Sequence, residues 1–499
     1  MKKFYFFILF SVFCSYGFSQ SSILMANSVA EMQNWNKYPT YETYIAMMQK
    51  FATDCPSICK LDTIGYSVKK RLLLAVKISD NVNQIESEPQ VFLSGQIHGD
   101  ELIGGILLLR LIDYILSQYN KNQQITDLIN NLQIFINPYA NPDGTYKNDN
   151  STMLNATRNN ANDVDLNRNF PRIDGIETQI EPEIQAMIDY ADNHHFVLSL
   201  NTHSGAEVVN YPWDDIASLP ADNEWWNFVS REFADTVHKY SAPTYLKDLN
   251  NGVTNGYQWY GIYGGRQDYM NYYQHCREVT LELSNSKMFS SENIPNAWEN
   301  TKRSFINYIK QATFGLRGFV TDSVTKEVLD AIVFINNFDN RNSFVYSYPE
   351  SGEYYRFLHQ GIYSVSFSKE GYKTKTFDIQ INNYEQQILD VQLVKCDSCS
   401  YINSINVPTI NKFFIYPNPT TGQLLIAQQS MTEAGKSPTG GADERREVIK
   451  NIEIYDIIGK LLQSKIVNLK SSIEIDISHL QSGMYYLKIG NETVKIIKN

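Results

Sequence analysis

Short apolar, strand-like segments alternate with helical stretches between residues 39 and 312, and this alternation restricts the fold more than any other feature of the sequence. The strand-like segments are residues 91–93, 132–136, 196–200 and 279–283. Residues 102–119 follow the first of them and predict a long, largely apolar helix. Such alternation favours an α/β domain over residues 38–312, with a mixed, mainly parallel sheet flanked by helices. Ligands of such sheets bind beyond the carboxyl ends of the strands.

The sequence pattern changes near Phe314. From there to residue 395, short alternating runs are separated by turn residues, which predicts a small all-β sandwich. Residues 396–412 are predicted to form a linker, and residues 413–499 a second small all-β sandwich domain. Within this last domain, residues 427–446 are polar and predict a long loop or a disordered insertion.

Residues 1–19 have the pattern of a secretory signal peptide. Lys2 and Lys3 precede an apolar stretch that ends near Cys14, and small residues follow before Gln20. This order of charged, apolar and small segments is typical of signals that a peptidase removes. We therefore expect export, cleavage after Ser19 and no transmembrane anchor in the mature chain.

The charge of the chain excludes one broad class of function. The formal net charge is −11, from 43 basic and 54 acidic residues. A general nucleic-acid-binding protein normally presents a basic face, so we expect no nucleic-acid partner.

Two pairs of cysteines lie close together in the sequence, Cys55 with Cys59 and Cys396 with Cys399. Each pair could form a disulfide in an oxidising compartment or remain as two thiols, and the sequence leaves both alternatives open.

Three potential metal ligands follow two of the predicted strands. His98 and Glu101 come after residues 91–93, and His203 comes after residues 196–200. Two imidazoles and one carboxylate are a ligand set of catalytic Zn²⁺. Because parallel strands present their carboxyl ends at one edge of the sheet, we expect these side chains to converge there.

A further carboxylate lies near the end of a third predicted strand. Glu282 lies near the end of the predicted strand 279–283 and shares a strand face with Glu278. Either carboxylate could act as a general base beside a metal ion, and strand periodicity alone does not choose between them.

Several motifs in residues 38–309, in matching order and spacing, resemble those of the zinc metallocarboxypeptidases of the carboxypeptidase A/B superfamily. The resemblance is greatest to the branch that includes carboxypeptidases D, E, M and N. The motifs are GQIHGDE (95–101), NP (137–138) with NPDG (141–144), DLNRNFP (165–171), THSGA (202–206) with NYPWD (210–214), NGYQWY (255–260) and EVTLEL (278–283).

This resemblance implies an exopeptidase with one Zn²⁺ held by His98, Glu101 and His203. It assigns the general base to Glu282 and the stabilisation of the oxyanion to Arg158. It also implies that Tyr260 closes over the substrate.

The resemblance further implies how the substrate is bound. Asn167 and Arg168 match the positions that hold the C-terminal carboxylate, for which the planar guanidinium of arginine is suited. Asp214 and Gln267 match residues of the side-chain pocket in members specific for basic residues. We therefore expect a preference for peptides and proteins that end in Lys or Arg.

The two C-terminal blocks resemble known modules as well. Residues 314–395 resemble the transthyretin-like domain that follows the catalytic domain in this branch. Residues 413–499, with YPNPTTG (416–422) and GMYYLKI (483–489), resemble the C-terminal sorting domain of the Bacteroidetes type IX secretion system. This implies contact with the secretion machinery and a secreted or cell-surface location in a Gram-negative, Bacteroidetes-like bacterium.

Two other functions remain open at this point. Related carboxypeptidases act on murein peptides, so the chain could be a cell-wall peptide hydrolase. It could also be a non-catalytic surface-binding protein on the same scaffold. We expect a monomer in each case.

Overall fold

The computed structural model describes residues 22–84, 86–396, 413–416, 420–428, 449–456, 460–468, 473–489 and 492–498. The predicted signal peptide (1–19) lies outside the described residues. Of the predicted linker (396–412), only Cys396 is described, and most of the polar segment 427–446 is not.

The first described residues pack onto the predicted α/β unit. Two short parallel strands pair here, β1 (Met25–Ala26) and β2 (Tyr38–Pro39). Between them, Met32 and Trp35 are buried in the largest hydrophobic core. The α/β unit was predicted to start at residue 38. Residues 25–37 also pack against it, because β1 pairs with β2 and because Met32 and Trp35 are buried in its core.

An eight-stranded mixed sheet forms the centre of the first unit. Its strand order is β3-β4-β6-β5-β7-β10-β8-β9. The four central strands, β6, β5, β7 and β10, run parallel to one another. The pairs β3-β4, β4-β6 and β10-β8 are antiparallel, and the pair β8-β9 is parallel. The strands are β3 (Cys59–Tyr66), β4 (Leu72–Ile78), β5 (Gln90–Gly95), β6 (Gln133–Asn137), β7 (Phe196–His203), β8 (Ala206–Tyr211), β9 (Val253–Asn255) and β10 (Arg277–Ser284).

The central strands are apolar on both faces because each face meets a separate core. In β5, Val91 and Leu93 point into one core, whereas Phe92 points into the other. This alternation follows from the two-residue period of a strand. Burial on both sides is characteristic of parallel strands between helical layers.

Helices cover both faces of the sheet. The larger core contains buried residues of α1, α2, α3, α6 and α10, and the smaller one those of α5 and α9. The helices are α1 (Tyr41–Asp54), α2 (Leu102–Gln118), α3 (Gln123–Ile129), α4 (Pro142–Thr145), α5 (Pro182–Asp192), α6 (Asn223–Tyr240), α7 (Asp248–Gly252), α8 (Gly256–Trp259), α9 (Arg266–Tyr272) and α10 (Ile294–Lys310). The predicted α/β fold, including the long apolar helix after the first strand, is confirmed.

A two-layered β-sandwich follows the α/β unit, with its own apolar core. One layer has the order β14-β11-β19-β16 with β18 beside β11, and the other has the order β13-β12-β15-β17. The strands are β11 (Gly315–Asp322), β12 (Ile332–Ile335), β13 (Val345–Tyr346), β14 (Glu353–Arg356), β15 (Gly361–Ser368), β16 (Tyr372–Lys373), β17 (Lys375–Ile381), β18 (Gln386–Ile388) and β19 (Val391–Lys395).

Buried charges join the sandwich to the α/β unit. The guanidinium of Arg356 on β14 donates to both oxygens of Asp222, at 2.8 and 2.9 Å, and also to Asp339. Arg277, the first residue of β10, reaches Asp222 at 2.7 Å. Because ionised groups are buried at low cost only when they are paired, this cluster fixes the relative position of the two units.

The described C-terminal residues form two small sheets. Their orders are β20-β21-β24 and β23-β22-β25-β26. The strands are β20 (Phe413–Tyr416), β21 (Gln423–Gln428), β22 (Ile449–Tyr455), β23 (Leu461–Asn468), β24 (Ile473–Asp476), β25 (Gly483–Ile489) and β26 (Glu492–Lys498). Alternate apolar residues of both sheets share one buried cluster, which is the packing of a β-sandwich.

Cys55, Cys59 and Cys276 are free thiols, so Cys55 and Cys59 do not form a disulfide. Cys396 is disulfide-bonded.

In the described ranges, no single helix has both the length and the apolar character required to cross a membrane. Only the sharply bent pair α2 and α3 meets both conditions together.

Candidate metal centre and pocket

The three predicted metal ligands meet at the carboxyl edge of the central sheet. His98 and Glu101 lie in the turn between β5 and α2, and His203 is the last residue of β7. Gly99 lies between the first two, and a Cβ atom there would be 2.3 Å from the backbone carbon of Gly144. Only glycine permits this close approach of two chain segments, which holds the turn against the sheet.

The distances between the ligand atoms fit a zinc site. The Nδ1 atoms of His98 and His203 are 3.1 Å apart. Glu101 places one carboxylate oxygen 3.0 Å from the His98 Nδ1 and the other 2.9 Å from the His203 Nδ1. Ligand atoms of a tetrahedral Zn²⁺, bound at about 2.0–2.1 Å, lie about 3.3 Å apart. The three buried side chains therefore have the donor types and spacing that this ion requires.

Electrostatic coupling within the cluster favours ionised Glu101. Burial opposes its charge, but the two imidazoles outweigh this effect and hold the pKa of Glu101 well below its usual value. Burial lowers the pKa of His203 to about 4, so that its ring is neutral and able to coordinate a metal at neutral pH. Burial also disfavours charged His98, but Glu101 and Asp165 overcome it and raise the pKa of His98.

Asp165 fixes the orientation of the first histidine. Its carboxylate accepts a hydrogen bond from His98 Nε2 at 3.1 Å, which leaves Nδ1 facing the cluster. The other oxygen accepts from Nε of Arg158 at 2.9 Å. Carboxylates of this kind set the tautomer and orientation of metal-binding histidines. Asp165 lies in the DLNRNFP motif (165–171), but its role behind His98 was not predicted, because the two residues are far apart in the sequence.

Glu282 and Glu278 have different environments although they share a strand face. Glu282 lines the pocket beside the cluster, and its Oε2 atom is buried without a hydrogen-bond partner among the described residues. Burial and the charge of Glu101 raise the pKa of Glu282 well above its usual value. Glu278 is instead held by Arg266 at 3.1 Å and by Ser199 at 2.5 Å, away from the pocket.

The remaining predicted residues line the same pocket, with one exception. The pocket encloses about 160 Å³ and opens to solvent, and its walls include Arg158, Asn167, Arg168 and Tyr260. Tyr260 is 44% exposed, at the rim of the pocket. Gln267 does not line the pocket.

Asp214 is buried and lines one side of the pocket. Its Oδ1 accepts hydrogen bonds from the amides of Asn210 and Gln267, each at 3.0 Å. Gln267 therefore acts on the pocket through Asp214. A Cβ atom on Gly256 would be 1.8 Å from this oxygen, so glycine is needed there. Burial raises the pKa of Asp214 to about 7.

Lys287 and Trp259 also line the pocket, although neither was predicted to be a site residue. Lys287 lies on its wall with the ammonium 3.1 Å from Glu101 Oε1, and Trp259 packs edge-on against Tyr260 at 4.8 Å between ring centroids. Lys287 is outside every predicted motif, so no sequence signal pointed to it. Trp259 lies inside the NGYQWY motif (255–260), but its residue type is more common in cores than in sites.

Comparison with known protein families agrees with two of the sequence-based assignments. Residues 44–304 match the zinc carboxypeptidase family, and residues 414–499 match the secretion system C-terminal sorting domain. The first match spans just over half of the chain.

Several curated proteins are similar to the chain over most of its length. Human carboxypeptidase D is 34% identical over 69% of the chain, but the match spans 26% of that protein. The chain thus corresponds to about a quarter of the length of this relative. The mouse carboxypeptidase N catalytic chain is 31% identical over 73% of this chain and 88% of its own length. Mouse carboxypeptidase M is 33% identical over 67% of this chain and 79% of its own length.

The family match and the extent of these alignments confirm the predicted resemblance, and with it Zn²⁺ as the cofactor of the family. They also confirm the C-terminal sorting domain. The transthyretin-like character of the middle sandwich remains a prediction. The chain belongs to the zinc carboxypeptidase family.

Proposed function

We propose that this protein is a secreted zinc metallocarboxypeptidase that removes Lys or Arg from the C-terminus of peptides and proteins. One observation carries the proposal: the cluster of His98, Glu101 and His203 shares a single pocket with Glu282 and with the buried carboxylate of Asp214. A metal site beside a carboxylate base and a buried anionic subsite is suited to cleaving next to a basic residue.

The three clustered side chains would hold the metal ion. When bound there, Zn²⁺ supplies a Lewis acid that polarises a peptide carbonyl and lowers the pKa of a water molecule. Asp165 would keep His98 in the coordinating orientation through the 3.1 Å hydrogen bond to Nε2.

Glu282 would act as the general base. Glu282 lines the pocket, one of its oxygens has no hydrogen-bond partner among the described residues, and its raised pKa makes it a better proton acceptor than an ordinary glutamate. It would take a proton from the attacking water and return it to the amine that leaves. Glu278 does not compete for this role, because Arg266 and Ser199 already satisfy its carboxylate.

Two arginines would bind the negative charges of the reaction. Arg158, whose NH1 lies 3.2 Å from His98 Nδ1, is close enough to the cluster to stabilise an oxyanion formed there. Arg168 and Asn167 would grip the terminal carboxylate, since they line the pocket next to the cluster. Tyr260, exposed at the rim, would close over the bound peptide.

Asp214 would select the basic side chain. It is buried, it is positioned by Asn210 and Gln267, and it lines the pocket without an ion-pair partner among the described residues. The ammonium or guanidinium of a substrate would supply the missing counter-charge, which an apolar side chain cannot do. Related proteins named carboxypeptidases D, N and M support the same proposal.

The test is an assay of the purified protein on peptides that end in Arg, Lys, Phe or diaminopimelate, with and without a zinc chelator. We expect chelator-sensitive release of Arg and Lys. Release of diaminopimelate alone would indicate a cell-wall hydrolase, and no release from any peptide would indicate a binding protein.

The C-terminal sorting domain supports export by a secretion system, and we propose the type IX route of Bacteroidetes-like bacteria. Partners would then be peptide C-termini and the secretion machinery. We also propose that the sorting domain is removed during export, and mass spectrometry of the secreted protein tests this, since an intact C-terminus in the medium would contradict removal.

A further inference from the structure

Asp268 lies directly behind Asp214, although it does not itself line the pocket. It is in the first turn of α9 and follows Gln267, whose amide donates to the Asp214 carboxylate. Asp268 is 4% exposed and forms no ion pair within 4.0 Å among the described residues. A buried carboxyl group without a cation is costly unless other donors satisfy it.

Two backbone amides supply these donors. The Asp214 N–H donates to Asp268 Oδ1 at 3.0 Å and to Oδ2 at 3.1 Å. The Asp215 N–H donates to Asp268 Oδ2 at 2.9 Å. Both oxygens of Asp268 therefore hold the turn that carries Asp214.

Asp215 and Asp268 are joined through their side chains as well. Their carboxyl groups are hydrogen-bonded to each other, which requires one shared proton because an ionised carboxylate has no donor. Burial and the charges of Asp214 and Asp215 raise the pKa of Asp268 well above its usual value, which favours a proton on the pair. The shared proton takes the place of the cation that two buried carboxylates otherwise need.

The carbonyl groups of the same turn are held by a different segment. The Trp213 carbonyl accepts from the amide of Tyr257 at 2.8 Å, and the Asp214 carbonyl accepts from the amide of Ile262 at 3.0 Å. Among the described residues, Asp268 is the acceptor for the amides of both Asp214 and its successor. Removing Asp268 would therefore release the amide side of the turn while its carbonyl side stayed anchored.

The position of Asp214 thus depends on two consecutive residues of α9. Gln267 donates from Nε2 to Asp214 Oδ1 at 3.0 Å, and Asp268 holds the backbone of Asp214. Gln267 is itself fixed, since its Oε1 accepts from the amide of Thr280 on β10 at 2.7 Å. No described residue donates a hydrogen bond to Asp214 Oδ2, which leaves this oxygen available to a substrate.

We propose that Asp268 is a positioning residue for the binding of a basic side chain. This inference rests on the proposed function, in which Asp214 selects Lys or Arg. Asp268 anchors the turn and Gln267 anchors the carboxylate, so that Asp214 is held in place before the substrate arrives. A binding group that is fixed in advance loses less conformational entropy when its ligand binds. Asp268 does not touch the substrate and acts through Asp214.

The experiment uses the full zinc-loaded chain as wild type, Asp268→Ala, Asp268→Asn and Glu177→Gln. Steady-state kinetics give kcat and KM on two peptides that differ only in a C-terminal Arg or Phe. Asp268→Ala removes both acceptor oxygens. Asp268→Asn keeps one acceptor oxygen and replaces the shared proton by an amide donor to Asp215. Glu177→Gln is the control at an exposed position of the same unit.

We expect Asp268→Ala to raise KM for the Arg peptide about 5- to 10-fold, the value of one buried hydrogen bond. The kcat for the Arg peptide and both constants for the Phe peptide should stay nearly unchanged. Asp268→Asn and Glu177→Gln should keep the wild-type values. An unchanged KM for Arg in Asp268→Ala, a loss of kcat on both peptides, or an equal effect of Asp268→Asn would overturn the inference.

The wild-type enzyme separates this inference from the proposed function. A wild type that does not prefer Arg over Phe would contradict the proposed function, and the inference with it. A wild-type preference that persists in Asp268→Ala would overturn the inference alone. If Asp268→Ala does not fold, Asp268→Ser replaces it with the same expectation, because the shorter hydroxyl does not reach both amides.

Discussion

Glu282 lies directly opposite His203 on the neighbouring parallel strand, in register between β10 and β7. The backbone pairing of two central strands therefore sets the position of the proposed base relative to a proposed metal ligand. Both strands are buried along their whole length, and Val279, Leu281 and Leu283 of β10 face the larger core. A shift of register by one residue would turn the intervening charged side chains into that core, so the relationship is strongly constrained.

The first prediction concerns this carboxylate. Glu282→Gln keeps the size of the side chain but removes its basicity, so kcat should fall about 10²- to 10⁴-fold while zinc content stays unchanged. Steady-state kinetics and metal analysis measure the two effects. Glu278→Asp is not a suitable control because it would break a buried ion pair; Glu177→Gln is suitable and should keep full activity. Near wild-type turnover in Glu282→Gln would exclude it as the base.

The second prediction concerns specificity. Asp214→Asn removes the buried negative charge, so kcat/KM for C-terminal Arg should fall about 10- to 100-fold, the value of a charge-assisted hydrogen bond of about 1.5–3 kcal/mol. The value for C-terminal Phe should change much less. Asp215→Asn is the neighbouring control and should retain the preference, because Asp215 does not line the pocket. A variant of Asp214 that still prefers Arg would disprove the assignment.

The third prediction is a pH dependence. Burial raises the pKa of Asp214 to about 7, so its ionised form is lost as the pH falls through 7. Only the ionised form attracts a basic side chain, and the ratio of kcat/KM for Arg over Phe should therefore decrease below pH 7. Titration of Glu282 affects both substrates equally and cancels in the ratio. A ratio that is constant between pH 5 and 8, or one that still changes in Asp214→Asn, would contradict this role.

The fourth prediction concerns the residue behind the metal cluster. Asp165→Asn removes the carboxylate that accepts from His98 Nε2 and should weaken zinc binding about 10- to 100-fold, as is typical for such partners. Competition with a chromogenic chelator measures the affinity directly. Unchanged affinity would show that the hydrogen bond does not orient the histidine.

The fifth prediction concerns the joint between the α/β unit and the sandwich. Arg356→Met leaves Asp339 without its cation and should destabilise the protein by about 3–5 kcal/mol, the usual cost of breaking a buried pair. Adding Asp339→Asn should restore part of this loss, and the exposed Lys373→Met should have little effect. Calorimetric unfolding provides the comparison. A double variant no more stable than the single one would argue against the charge imbalance as the cause.

Much of the fold and of the candidate site could be predicted from sequence because the relevant signals are local. The apolar run of β5 and the helix α2 after it follow from residue periodicity, and parallel strands bring His98, Glu101 and His203 to one edge. The contacts of Asp165 with His98 and of Lys287 with Glu101 were not predicted, because the partners are distant in sequence.

The sequence by itself determined the alternation of strands and helices, the order of the motifs and the chemical types of the ligands, since these depend on side-chain identity and spacing. The tertiary structure decided which of two carboxylates on one strand face lines the pocket. Glu278 and Glu282 share a strand face, but Arg266 pairs with the first, whereas burial and the charge of Glu101 raise the pKa of the second, which forms no ion pair within 4.0 Å among the described residues. Such differences arise from desolvation and pairing between segments far apart in the chain, and a linear pattern contains neither.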